Sequence, residues 1–167
     1  MLNRIWKDRI ISTRLKLRLF ESNVKSTLLY GCATWSLTQT IQKKLQTFVN
    51  TCLRKILKIF WPERISNEEL WSKTGQSPIG EEIARRKWRW LGHTLRKPKH
   101  SISRHALQWN PQGQRVRGRP RTTWRRNLEN DMERFGYTWR ELIKLAQDRR
   151  EWKTVVRGLY PVQDERQ

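Results

Sequence analysis

Between Gln114 and Arg121 the chain reads QRVRGRPR, four arginines in eight residues with no acid among them. Arg125 and Arg126 follow shortly after. A guanidinium presents a planar fork of donors that matches a phosphate bidentately, so such a cluster is suited to holding a polyanion. Thr122 or Thr123 can cap a helix at this point, which puts Arg125 and Arg126 in its first turn. Cations there oppose the helix dipole by about 0.3–1 kcal/mol each. A phosphate at the same N-terminus reverses the sign of that effect. Residues that break a local rule without evident gain mark a candidate site, here a phosphate clamp of Arg117, Arg119, Arg121, Arg125 and Arg126.

Catalytic chemistry is poorly represented by comparison. The aspartates are Asp8, Asp131, Asp148 and Asp164, and no two lie close enough in sequence to suggest a two-metal site for nucleotidyl transfer. There is no Walker-type phosphate loop and no GxSxG elbow. Cys32, Cys52, His93 and His105 lack the C-x₂-C or H-x₃-H spacing of a zinc site and read as structural. The chain is therefore expected to be neither an enzyme nor a carrier of a cofactor or metal, and no small-molecule substrate is indicated.

Composition points to the partner. The chain has 167 residues, with 36 Lys and Arg against 15 acids and a net charge of +21. Charge of this size is best tolerated when a polyanion neutralises it. Ten tryptophans argue against a disordered basic tail. The charge is uneven: residues 1–60 carry +10, residues 61–110 carry +5, residues 111–127 carry +6, and residues 128–167 sum to zero. The last forty thus read as an ordinary mixed surface, with Arg149, Arg150 and Trp152 as structure. No run approaches the roughly 20 apolar residues that span a bilayer, so no membrane partner is expected. The Arg-rich first twenty residues continue as helix, which argues against a mitochondrial presequence. Two cysteines without a signal peptide suggest reduced thiols, hence an intracellular setting, nucleus or cytoplasm.

Helices must position these groups. A helix capped by Ser12 or Thr13 runs to about Tyr30, with Leu17, Phe20, Val24 and Leu28 inward and Arg14, Arg18 and Lys25 on the opposite face. Thr40 to Ile59 follows, with Ile41, Leu45, Phe48, Cys52, Ile56 and Ile59 along one side and Trp61-Pro62 as its stop. Ser66 opens a capping box that Gly75 closes. The next helix begins near Glu81 and Glu82 and ends at Arg96-Lys97. Trp88, Leu91 and Leu95 form its core face, His93 lies near that stripe as a buried histidine, and Arg85, Arg89 and Arg96 remain free for phosphates. Ser103 to Trp109 alternates like a short strand. Trp124, Leu128, Met132 and Phe135 mark a further helix face. Thr138 to Glu141 is a capping box opening one helix through Leu142, Leu145, Trp152 and Val156. Tyr30 and Trp35, flanking Gly31, are expected to pack.

Four stretches occur in order: LLYGCATW (28–35), RRKWRWLGHTLRK (85–97), RGRPRTTWRRNLENDM (117–132) and LAQDRREWKTVV (145–156). Together, across residues 3 to 158, they resemble the C-terminal region of non-LTR, LINE-like retrotransposon endonuclease–reverse transcriptases. The resemblance implies a helical thumb over about residues 3–60, followed by a linker region beyond the polymerase palm. Two departures stand out. Ala33 replaces the glutamate common in YGCETW, and the palm's Tyr-x-Asp-Asp motif is missing, as is an endonuclease domain.

The expected fold is therefore mainly α: a thumb-like bundle at 1–60, a helical linker at 61–100, a basic loop or short strand at 101–121, a helical pair at 122–160 and a tail at 161–167. The expected function is non-catalytic binding of template RNA, RNA–DNA hybrid or target DNA through Arg14, Arg18, Lys25, Arg85, Arg89, Arg96 and the Arg117–Arg126 cluster. Two other readings stand beside it. The RGRP core looks like an AT-hook that lays arginines into an A·T-rich minor groove, and the chain could be a structural remnant of a decayed element. Oligomeric state stays open.

Overall fold

Short polar side chains start several of the helices at the expected places. The computed structural model describes residues 2–108 and 123–161, and among these all regular structure is helical, with no strand. The helices are α1 (Leu2–Lys7), α2 (Thr13–Leu19), α3 (Ser26–Leu28), α4 (Gln39–Leu57), α5 (Asn67–Thr74), α6 (Ile79–Leu95), α7 (Ile102–Gln108), α8 (Trp124–Arg134), α9 (Trp139–Leu145) and α10 (Arg149–Leu159). Ser12, Ser66, Thr123 and Thr138 each accept a first-turn backbone N–H. Thr138 and Glu141 complete the reciprocal capping box. No helix among the described residues is long and apolar enough to cross a membrane.

The chain divides within α6 into two compact units. The first comprises the residues up to Cys32 together with Thr38–Ile83. Its core holds Trp6, Phe20, Leu29, Val49, Leu53, Ile56, Leu70 and Ile79, and α4 packs against α1, α2 and α5. The second comprises Ala33–Leu37 and the described residues from Ala84 to Pro161. Its core is Trp88, Leu91, Leu95, Leu107, Leu128, Met132, Leu142, Ala146, Trp152, Val156 and Tyr160.

Several expectations are corrected. Between α2 and α3 the backbone widens into a π-helical turn, Phe20–Lys25, whose i→i+5 bonding inserts an extra residue into the repeat. The buried positions accordingly step from Lys16 and Phe20 to Lys25 and Leu29, leaving Val24 and Leu28 only half-buried. Lys25 is thus carried from the outer face to the inside, where it is 7% exposed. It donates to Gln76 Oε1 at 2.7 Å and pairs with Glu82. Gln76 in turn donates to Glu21 at 2.8 Å. Lys25 is a structural cation with no access to phosphates.

The phase of α4 also differs. Val49, Leu53 and Ile56 are buried, while Ile41 and Phe48 are exposed. Asn50 bridges α4 to α5, receiving a hydrogen bond from Trp71 Nε1 and donating to Asn67, both at 2.9 Å. α4 ends at Lys58 in the left-handed conformation (φ 60°), before Trp61-Pro62 is reached. The strand expected at Ser103–Trp109 is helix α7 as far as Gln108. Arg104, Ala106, Leu107 and Gln108 all favour helix, and burial of Leu107 alone satisfies the side facing the core.

Replacing Lys25 with Ala removes the buried cation that links Gln76 and Glu82. We expect a loss of about 3 kcal/mol in urea unfolding.

Candidate nucleic-acid interface

A row of cations on α10 faces cations on α6 in the second unit. Asp148 breaks the single helix expected after Thr138 into α9 and α10 by accepting from the N–H groups of Arg150 (2.6 Å) and Glu151 (3.1 Å). With the helix restarted there, Arg149, Lys153 and Arg157 fall at i, i+4 and i+8 on one side. They line a cleft of about 240 Å³ with Arg89, Arg96, Trp152 and Val156. None of its five cations has a carboxylate within ion-pairing distance among the described residues.

Close helix packing builds the walls. Trp152 lies over Gly92, where an added Cβ would meet the indole Nε1 at 2.2 Å. The same indole donates to Trp88 O at 3.1 Å. Trp88 and Trp152 stack at 5.8 Å between ring centroids, with Phe135 edge-on to Trp88 at 5.9 Å. Arg96 donates through Nη1 to Ala146 O at 2.9 Å, while its Nε is buried without a hydrogen-bond partner. Burial, and after it the neighbouring Arg149 charge, holds the Arg96 guanidinium below its ordinary pKa.

This arrangement is costly to the isolated protein. Like charges at i and i+4 destabilise a helix by about 0.2–0.5 kcal/mol per pair, and α10 has two such pairs in Arg149–Lys153–Arg157. Arg149 also sits in the first turn, against the helix dipole. Asp148 already occupies the backbone donors there, so an anion in the cleft would be held by side chains. A phosphodiester would relieve the mutual repulsion and find forked donors on both walls. Successive positions in the α10 row rise about 6 Å along the axis, comparable to the separation of neighbouring phosphates on a strand.

The residues singled out from sequence meet different fates. Arg89 and Arg96 line this cleft. Arg14 and Arg18 are exposed on α2. Arg85 is 8% exposed and belongs to the interior, because position 85 precedes Trp88 by three on the buried side of α6. Arg125 and Arg126 do occupy the first turn of α8 behind Thr123. Arg125, however, pairs with Glu129 at 2.8 Å, which offsets the cost that made this turn suspicious. Arg117, Arg119 and Arg121 lie outside the described residues. His93, expected inside, is exposed, and Tyr30, expected to pack, is 86% exposed.

Arg149, Lys153 and Arg157 escaped sequence reasoning because the segment around them is neutral in sum. The signal that could have found them is their spacing of four. Elsewhere in the unit, Trp124 anchors the 33–37 loop by donating to Ala33 O at 2.8 Å. Because the acceptor is backbone, a change of side chain at position 33 leaves this tie intact. Among the described residues no group of three or more His, Cys, Asp or Glu side chains is placed to hold a metal ion.

Residues 1–30 match the model of a domain of unknown function, DUF6451. Over 158 residues, 90% of this chain, the sequence is 22% identical to an uncharacterized transposon-derived protein of Caenorhabditis elegans. The chain spans 57% of that relative's length. It is thus distantly related to a transposon-derived protein. No solved structure matches it.

Gly92→Ala forces the Trp152 indole away from α6. We expect a loss of about 1–3 kcal/mol in stability and a red-shifted tryptophan emission as the stacked pair is wetted.

Proposed function

We propose that this chain is a nucleic-acid-binding segment of a non-LTR-type retrotransposon reverse transcriptase, acting without catalytic chemistry of its own. The observation that carries the reading is the α6–α10 cleft, whose five cations have no carboxylate partner among the described residues. Relatedness to a transposon-derived protein along 90% of the chain supports it, as do the four motifs in order. In this role the thumb-like first unit and the second unit would serve a polymerase whose palm lies in another part of the parent protein.

The mechanism is electrostatic. Arginines and lysines neutralise phosphates and release the counterions condensed on them, a gain that is independent of sequence and sensitive to salt. Arg89, Arg96, Arg149, Lys153 and Arg157 grip the backbone from two helices. Arg14 and Arg18, on the first unit, offer further phosphate contacts. Guanidinium forks are not interchangeable with ammonium groups at such a site, so the predominance of arginine favours bidentate phosphate contact.

With about six phosphates engaged, affinity for a 20-base-pair duplex or hybrid should fall about 10³-fold between 50 and 200 mM salt. The Arg149→Ala/Lys153→Ala/Arg157→Ala variant should lower the slope of log K against log salt by about 2–3. A flat salt response, or a variant that binds like the parent, would overturn the reading. Preference for A·T-rich duplex, lost on adding a minor-groove drug, would point instead to the RGRP arginines as an AT-hook.

A further inference from the structure

We propose that Phe60 and Trp61 form a stacking platform for unpaired nucleotide bases, framed by Arg54 and Arg64. This rests on the nucleic-acid reading and extends it, since phosphate contacts alone do not distinguish single strands from duplexes.

The platform is built by the way α4 ends. Lys58 adopts the left-handed conformation and its N–H caps the last turn. Ile59 then folds inward, 8% exposed, while Phe60 and Trp61 point to solvent, 60% and 79% exposed. Glu63 N–H donates to Phe60 O at 2.9 Å and closes the turn that carries both rings. Arg54 is fixed alongside by its bond to Asn67 Oδ1 at 2.9 Å. Phe60 and Trp61 line an open groove of about 350 Å³ with Arg54, Arg64, Glu63 and the aliphatic Ile65.

Two adjacent aromatics held in water forgo the burial that normally stabilises them, and a fold that spends them this way marks an interaction surface. Charge identifies the occupant. An apolar protein segment would gain nothing from Arg54 and Arg64 beside the rings. A nucleotide offers both a flat π-face and a phosphate, and alternating aromatic and basic side chains are how single strands are held. In duplex the bases are stacked on one another, so these rings discriminate in favour of unpaired strands.

The test uses the full chain and two labelled probes, a 20-nucleotide oligo(dT) and a 20-base-pair duplex, followed by fluorescence anisotropy. Trp61→Ala should weaken oligo(dT) binding about tenfold and change duplex affinity by less than twofold. Trp61→Phe, which keeps a ring, should bind oligo(dT) close to the parent level. Unchanged oligo(dT) affinity in Trp61→Ala overturns the platform, as does an equal loss on both probes, which would make Trp61 a structural residue. A Trp61→Ala variant that merely loses self-association, with oligo(dT) binding intact, overturns it in favour of a contact between copies. Failure of the broader reading looks different: the parent then binds neither probe. Loss of both probes on mutating Arg149, Lys153 and Arg157, with Trp61→Ala silent, overturns the platform alone.

Discussion

The indole of Trp152 occupies the space that any side chain at position 92 would need, and the geometry of the second unit follows from that contact. Glycine is the residue that lets α10 come this close to α6, and the indole N–H then finds a backbone partner in Trp88 O, so a buried polar group is satisfied at no cost to the packing. Stacked on Trp88, the ring joins a cluster with Phe135, Tyr137 and Tyr160. The same contact fixes which residues flank it. Arg89 and Arg96 lie three and four positions from Gly92, and Arg149 and Lys153 lie beside Trp152, so the distance that buries the indole also sets the two cationic walls. Stability and charge presentation are here one constraint.

The excess of positive charge is divided between two kinds of work. Three lysines go inside as structural cations. Lys16 donates to the Trp6 and Asp8 carbonyls at the end of α1, a form of C-terminal capping. Lys25 pairs with Glu82. Lys87 pairs with Asp131 at 3.2 Å and lies over the Trp124 ring, and burial nevertheless pulls its ammonium pKa down against the raising effect of Asp131. The cleft cations, four arginines and one lysine, are left without acids among the described residues. Arginine tolerates this better, because its delocalised charge is less strongly hydrated and stays protonated when crowded.

Much of the fold could be read from local chemistry, and the failures share a cause. Ser12, Ser66, Thr123 and Thr138 cap as their types suggest, and Gly75 takes the left-handed position expected of it. These depend only on neighbours in sequence. What could not be read depends on phase. A uniform 3.6-residue repeat carried across Phe20–Lys25 misplaces Lys25. In α4 the apolar residues cover more than one face, so Phe48 or Val49 could equally have been inside, and only packing against α1, α2 and α5 selects Val49. At Asp148 a helix that seemed continuous restarts. The candidate site was legible only by half: Arg89 and Arg96 were visible as cations off a hydrophobic stripe, whereas the α10 row was concealed by summing charges over a segment. Sidedness, which a sum discards, is what a binding surface is made of.

The π-helical turn at Phe20–Lys25 has a consequence for how related chains should be compared. A turn of this kind holds one more residue than an α-turn in the same axial space, so it behaves in an alignment like a single-residue insertion that the helix has absorbed. A relative one residue shorter across this stretch would keep the same inward-facing column with ordinary α-helical spacing, and its buried cation would align one column away from Lys25. Comparisons that forbid gaps inside helices will pair Lys25 with an outward residue there and mistake a preserved ion pair for a lost one.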